Sequence, residues 1–363
     1  MIDAPAMSGN SASRLQFIDS LRLLAAVLVL VQHIFEQHRE VPGFSATVQL
    51  APGLIGVIIF FLVSGYVVPM SVRTPFRPLS FMIRRLFRIY PLLLSAFALL
   101  LVLGSTGVLA RWSFMAHAGP AQWAANFLLS WGIFKFPPFL GVAWTLVIEF
   151  VWYVLFATTF ARWGDRAGIV LAAVVPLGLL AFTAISFFTG VRLPLGLANM
   201  VYACVLGYLA FMHDRKLISW RFLALNFAAF FAVNWISNFV AYGVFSHQDL
   251  TLAQALWAWL LGLLAFFGVV LWPRLRAASL LNHGVLPVVG AASYSVYLLH
   301  PLGLAAGQQY GGGTASNIAL VLLVTAVLAT IGYIYIELPG IALGRRVAAL
   351  LERPRAVSAA VQA

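Results

Sequence analysis

Charge is what this sequence has least of. Only 9% of its 363 residues are Asp, Glu, Lys or Arg, while 63% are hydrophobic and the mean hydropathy is +0.97. A soluble domain carries about a quarter charged residues. So little charge cannot cover a water-soluble core, which excludes a soluble fold. Long polar tracts are missing too: the 29 Phe and 11 Trp lie in extended apolar runs, which excludes disorder. Cysteine is almost absent. Cys204 stands alone inside an apolar run, so no intrachain disulfide can form, and it reads as a small packing residue. Acidic residues number 10 against 22 basic ones, for a net charge of +12. In a soluble protein that excess would suggest nucleic acid. Here the basic residues sit in short loops between apolar runs, so the expected partner is the lipid bilayer and not a nucleic acid. The class that remains is an all-α, polytopic integral membrane protein.

Apolar runs of spanning length fall at roughly 17–36, 53–70, 89–110, 143–161, 168–188, 194–212, 222–243, 251–272, 285–306 and 316–338. Ten transmembrane helices are therefore expected. The organisation is a cytoplasmic N-terminal segment over 1–16, a transmembrane domain over 17–340 and a cytoplasmic tail over 341–363. Pro52-Gly53, Pro137-Pro138, Pro194 and Pro273 mark boundaries. The first run carries Asp19 and Arg22 and no small-residue cleavage site follows it, so it reads as a retained helix, not a signal peptide. No soluble catalytic domain is expected after the last run, and no internal repeat is apparent.

Orientation follows from the basic residues. With the N-terminus in the cytoplasm and ten crossings, Arg39, Arg111, Lys135 and Arg192 fall outside and Arg22 lies within the first helix. The other 17 of the 22, from Arg14 to Arg353 and Arg355, fall inside. Both termini are then cytoplasmic. The segment 111–142 is unusual: Trp112, Trp123, Trp131, Lys135 and Pro137-Pro138 surround an apolar stretch too short to span. It reads as an interfacial or re-entrant piece on the outer face, serving as an aromatic anchor or as a lid over a cleft.

Ionisable residues inside spanning helices are costly and are functional candidates by default. Arg22 and His33 share the first helix. Eleven residues at ~100° each complete three turns plus ~20°, so both lie on one face, ~16 Å apart along the axis. Glu149, in the motif from Trp144 to Glu149, and His300, in the motif from Ser293 to Pro301, are read at a depth similar to His33 near the outer side. A carboxylate beside an imidazole fixes its tautomer and suits it to act as a general base; the alternative duty for Glu149 is a structural hydrogen bond between helices. A second set, Arg22, Arg85, Arg88 and Glu337 with the flanking Arg84, gathers near the inner side. Arg85 and Arg88 are three apart and share a face, fit either for anionic lipid or for the phosphates of a cofactor approaching from the cytoplasm.

These residues resemble the acyltransferase-3 family. The signatures are Phe17-Ile18-Asp19-Ser20-Leu21-Arg22 with ten residues before His33, Gly56 to Tyr66, and Phe81 to Pro91 with Arg85-x-x-Arg88. Trp144 to Glu149, Ser293-Tyr294 to His300, and Glu337-Leu338-Pro339 follow in the family's order. The resemblance covers roughly residues 15–345. Thr145 stands where serine is commoner, and Tyr66 where phenylalanine is. The resemblance implies ten core helices and transfer of an acyl group, usually acetyl from acetyl-CoA, to a hydroxyl of a surface glycan, a lipid-linked sugar or a small natural product. It further implies that His33 is essential and that Arg22, Arg85 and Arg88 are important, with less defined roles for Glu149, His300 and Glu337.

The reading of the sequence is thus a membrane O-acyltransferase that uses acetyl-CoA or another acyl-CoA, needs no metal, and acts on a carbohydrate acceptor such as a surface polysaccharide. A partner protein or a second copy of the chain would complete transfer where one is needed. His33 and Glu149 are the catalytic candidates and Arg22, Arg85 and Arg88 the cofactor-binding ones. His300, Glu337, Tyr294 and Ser64 are supporting groups, Tyr294 or Ser64 as oxyanion donors. A covalent acyl-histidine and a direct transfer both fit. The rival is a secondary transporter or a flippase of lipid-linked sugars, which would use intramembrane charges for proton coupling but would predict an internal repeat and leave Arg85 and Arg88 without a duty.

The charge bias sets an expected topology. Reporter fusions after Arg88 and after Arg276 should read cytoplasmic, and one placed within 111–140 should read outer. An outer reading after Arg88 would refute the arrangement.

Overall fold

The computed structural model describes residues 15–245 and 250–352. The N-terminal segment expected over 1–16 lies almost wholly outside the described residues, as do Arg14, Arg353, Arg355 and the end of the tail. The described part is helical, and no strand occurs in it. The helices used below are α1 (Gln16–Gln37), α2 (Pro52–Met70), α3 (Pro78–Ser105), α4 (Trp144–Trp163), α5 (Ala167–Thr189), α6 (Leu195–Asp214), α7 (Trp220–Asn238), α8 (Leu252–Leu271), α9 (Ser293–Tyr310), α10 (Thr314–Gly332) and α11 (Leu338–Glu352). Among the described residues eight stretches are long and apolar enough to cross a membrane, and a bent pair makes nine. One of the eight, Gly141–Thr189, has 49 residues. As one helix it would be ~74 Å long, more than twice a bilayer core, and it divides at Gly164 into α4 and α5. The protein is a multi-pass membrane protein, and α1 to α10 occupy the ten expected runs.

At the centre stands α2. Its sequence is apolar all round, and 14 of its 19 residues are buried, the mark of a helix with neighbours on every side. It packs against α1, α6 and α8. Lipid offers no hydrophobic force between helices, so close backbone approach has to hold them. Glycines supply it. Gly65 lies on the backbone of Cys204 in α6, and Gly207 of α6 lies on the backbone of Leu62 and Tyr66 in α2. Cys204 is free and fully buried at this crossing. Gly56 rests in the same way on the Ala25 carbonyl of α1. On the side where α2 ends, Asp214 closes a polar knot. Arg276 meets it through two hydrogen bonds of 2.5 and 3.1 Å, the Tyr66 hydroxyl donates to it at 2.8 Å, and the guanidinium lies 4.8 Å over the Phe17 ring. Bonding to Asp214 is the main reason Arg276 holds its proton above the ordinary guanidinium range.

The segment between α3 and α4 is a re-entrant excursion. A 3-10 helix (Ala110–His117) and two short helices (Pro120–Phe127, Trp131–Phe134) fold back along α3. Trp112 packs at Gly104 near the end of α3, yet the Phe127 carbonyl accepts from Tyr90 at 2.9 Å. Fifteen residues separate Tyr90 from Ser105, so the chain descends ~20 Å before turning. Irregular backbone survives at this depth only where protein satisfies it. Here Trp112 donates to the Phe139 carbonyl at 2.8 Å, and Asn126 accepts from Phe139 N–H at 2.8 Å and donates to Pro137 O at 3.3 Å. Because the excursion returns deep, α4 begins deep as well: Phe150, its seventh residue, meets Tyr90 with ring centroids 5.7 Å apart.

Three sequence expectations change. The third helix starts at Pro78 rather than near residue 89, so its arginine motif belongs to one continuous helix. The ninth run is not straight: it breaks at Ala292 with a bend of 54°, where Gly290 rests on the backbone of Asp19 and Pro287 weakens the helix before it. Residues 341–352, expected as part of the cytoplasmic tail, are helical. A π-helical turn (Tyr333–Glu337) leads into α11, which lies along α3 with Gly340 and Gly344 over Phe87. Its last turn is held by Arg84 to Glu352 at 2.8 Å and by Arg77 to the Leu351 carbonyl at 2.8 Å. Cations at a helix C-terminus also complement its dipole.

The α2–α6 crossing yields a stability test. Gly207→Ala puts a methyl into the backbone of α2 and should cost about 1–3 kcal/mol. Gly268→Ala in α8 meets open space and should be neutral or gain up to about 1 kcal/mol. Thermal unfolding of the two variants in detergent distinguishes them.

Candidate active site

A cavity of about 460 Å³ opens among α1, α2, α3, α4, α9 and α11. Each helix contributes a stripe at helical spacing: Ile18, Asp19 and Arg22 from α1, Arg85 and Arg88 from α3, Thr145, Glu149 and Tyr153 from α4, and Leu338, Ile341 and Arg345 from α11. Ser64 of α2, Tyr294 and Tyr297 of α9, and Glu337 complete the polar lining. The inner set expected from the sequence, Arg22, Arg85, Arg88 and Glu337, thus shares one chamber. Four guanidinium groups face three carboxylates there. Compensation of this kind is what allows charge at membrane depth.

The cations are held differently. Arg22 lies 3.8 Å from Asp19 on its own helix. Arg85 is buried, donates to the Ser71 hydroxyl and lies 5.3 and 5.2 Å from the centroids of Phe81 and Tyr153. Those rings clamp its planar head. Arg345 stands exposed on the face of α11 that reaches the cavity. Read in the sequence only as an inner-side charge, it would have been found through the stripe Leu338, Ile341, Arg345, had α11 been recognised as a helix. Glu337 accepts from Ser295 at 2.7 Å. The Tyr294 hydroxyl donates to the Ile89 carbonyl at 2.8 Å, which ties its proton to the scaffold and weakens the case for it as an oxyanion donor.

Glu149 is not where depth counting from the sequence put it. It accepts a hydrogen bond from Tyr153 and lines the arginine cavity. The reason is the re-entrant segment, which starts α4 deep and carries Glu149 down to the level of Tyr90 and Arg88. His33 and His300, by contrast, do come together, with ring centroids 5.3 Å apart and planes at 17°. His300 is buried, and its Nδ1 donates to the Tyr297 carbonyl at 2.7 Å. The carboxylate beside His33 is Glu36, with Nδ1 2.9 Å from its Oε2. The sequence did hint at it: Glu36 is one of only 10 acidic residues and lies one helical turn beyond His33.

Neither histidine lines the cavity. Phe60, Thr145 and Tyr297 close it on that side. The Tyr297 ring lies 5.5 Å from Phe60 and 5.9 Å from His300, and its hydroxyl, 3.1 Å from Thr145 Oγ1, donates to the Val142 carbonyl at 3.0 Å. The order along the bundle is therefore arginines, tyrosine wall, buried imidazole, half-exposed imidazole. His33 is 36% exposed and Glu36 34%. Among the described residues no three His, Cys, Asp or Glu side chains gather as a metal site.

A family model described as an acyltransferase domain matches residues 15–337. Among named relatives, "Putative O-acetyltransferase SACOL0978" of Staphylococcus aureus is 25% identical over 334 residues, covering 78% of this chain and 49% of the relative. "Nodulation protein 10" of Rhizobium leguminosarum bv. viciae is 30% identical over 193 residues, 48% of this chain and 52% of the relative. "Putative membrane-bound transacylase BcsY" of Komagataeibacter xylinus is 26% identical over 354 residues, 91% and 83% of the two chains. This chain spans about half the length of the Staphylococcus relatives. No solved structure matches it.

The clamped geometry of Arg85 predicts a stability role separate from any ligand. Arg85→Ala loses a buried charged hydrogen bond and two ring contacts and should cost about 2 kcal/mol. Arg85→Lys keeps the charge but not the stacked plane, and should recover less than half of that. Unfolding midpoints of the two variants, measured without ligand, check this.

Proposed function

The chain belongs to the acyltransferase family whose domain it matches over residues 15–337, and from that premise we propose that it transfers an acyl group, most simply acetyl from acetyl-CoA, to a hydroxyl of a carbohydrate. The single observation that carries this reading is the alignment of a buried arginine chamber with a histidine pair across one tyrosine wall. Arg22, Arg85 and Arg88 offer forked donors to phosphate oxygens, and Arg345 stands at the exposed margin. A thioester arm anchored there points toward the histidines, and Phe60, Thr145 and Tyr297 move aside to admit it.

Chemistry then centres on His33. The acceptor hydroxyl gives its proton to the imidazole as its oxygen bonds to the thioester carbonyl carbon. The tetrahedral intermediate collapses, the carbon–sulfur bond breaks, and the departing thiolate takes the proton back from the imidazolium. Products are the ester and free CoA thiol. The half-exposed position of His33 suits a glycan arriving from outside, while the arginine chamber faces a cytoplasmic donor across the bacterial inner membrane. The names of the relatives, an O-acetyltransferase and a transacylase, support the reaction class.

Acetyl transfer per folded molecule, measured beside acetyl-CoA affinity, tests the reading. His33→Ala should lower turnover by two to four orders of magnitude, or ~3–5 kcal/mol of barrier, and leave binding intact. Loss of an interhelical contact alone would cost only ~1 kcal/mol. Arg88→Ala should weaken acetyl-CoA binding about tenfold or more, and Arg88→Lys less. Near-normal turnover in His33→Ala would end the assignment of His33 as general base, and no acetyl transfer by the unmodified protein would end the acyl-transfer reading.

A further inference from the structure

Taking a proton from an alcohol requires an imidazole held in one tautomer, one nitrogen protonated and the lone pair of the other turned to the substrate. His33 finds the means on its own helix. Its Nδ1 lies 2.9 Å from Glu36 Oε2, at the i,i+3 spacing that brings two side chains together. Glu36 is itself held: its Oε1 accepts from Gln32 Nε2 at 2.6 Å, and Gln32 Oε1 lies 3.4 Å from the Gly53 N–H of α2. The groups around this pair leave the duty to Glu36. His300, stacked on His33 from α9, spends its Nδ1 on the Tyr297 carbonyl. In the loop beyond α1, Glu40 engages His38 at 3.3 Å, and Arg39 interacts electrostatically with Glu36.

Resting on the acyl-transfer reading above, we propose that Glu36 is the positioning residue for His33. Its carboxylate accepts the Nδ1 proton, which leaves the Nε2 lone pair for the acceptor hydroxyl, and it balances the charge of the imidazolium that forms. The hydroxyl proton travels to Nε2 and from there to the leaving thiolate. Glu36 keeps its negative charge throughout. Glu149, the carboxylate suggested by the sequence, belongs to the arginine chamber instead.

The test rests on an inversion of the usual order of severity. In E36Q the donor Gln32 Nε2 keeps the new amide oxygen on its own side, so the NH2 faces His33 Nδ1 and favours the opposite tautomer. E36A only admits water to Nδ1. Turnover should fall about 100-fold in E36Q and about 10-fold in E36A, with acetyl-CoA affinity and folded fraction unchanged in both. A packing role predicts the reverse, since Gln keeps the shape that Ala removes. Adding Gln32→Met to E36Q frees the amide to turn and should restore turnover toward that of E36A. Should E36Q fail to insert, the 15N shift of His33 in the unmodified protein reads the tautomer directly, and an unprotonated Nδ1 overturns the proposal. E36Q with turnover at or above that of E36A overturns it too. His33→Ala, measured in parallel, separates the two ideas: if it is inactive while E36Q is not, only the role of Glu36 falls; if it is as active as the unmodified protein, the base role of His33 falls with that of Glu36; and if the unmodified protein transfers no acetyl group, the acyl-transfer reading falls.

Discussion

Four guanidinium groups from three helices line a chamber at membrane depth, where an uncompensated charge is costly. Their stability depends on Asp19, Glu149 and Glu337, which line the same chamber, and on the rings of Phe81 and Tyr153 that flank Arg85. Much of the architecture can be understood as the means of bringing those counter-charges in. α1 supplies both Arg22 and Asp19 within one turn. α4 must begin deep for Glu149 to reach the arginines. The π-helical turn after α10 delivers Glu337, and α11 then folds along α3 and closes the chamber with Arg345.

Close helix crossings make that chamber rigid enough to matter. α2 touches α1 and α6 through glycines whose missing side chains let backbone meet backbone. A scaffold packed in this way has little freedom to spread, so a ligand gains room by moving side chains. Tyr297 is placed for such movement. Its hydroxyl bonds Thr145 and the Val142 carbonyl at the mouth of α4, and its ring separates the arginines from the imidazoles. The arginine cavity and the histidine pair are thus neighbours separated by the Tyr297 ring.

The two histidines illustrate how environment divides like residues. His300 is buried with one ring nitrogen bonded to a carbonyl, a setting that suits a neutral, fixed ring. His33 lies against it but is half-exposed and has a carboxylate within hydrogen-bonding distance. Solvent access, a counter-charge and a fixed tautomer make an imidazole a usable base. Of the two rings, His33 is the one with both the solvent access and the nearby carboxylate.

The sequence by itself determined the membrane class, the ten apolar runs and the shared face of Arg85 and Arg88, because these rest on composition, on length and on helical periodicity within single elements. Arg85 and Arg88 had to share a face wherever α3 went. What only the tertiary structure decided was depth and partnership between elements. Glu149 looked level with His33 because α4 was taken to begin at the membrane surface, and the hydrogen bonds of Tyr90, Trp112 and Asn126 that pull the preceding segment inward link residues of different elements, 13 to 37 positions apart, which no periodicity within one element records. α11 was read as part of the tail because the Leu351 carbonyl and Glu352 carboxylate that Arg77 and Arg84 engage are more than 260 residues away from them. A hydrophobic pattern records which residues avoid water. It carries no record of where along the membrane normal a helix starts, since that is set by contacts with other helices.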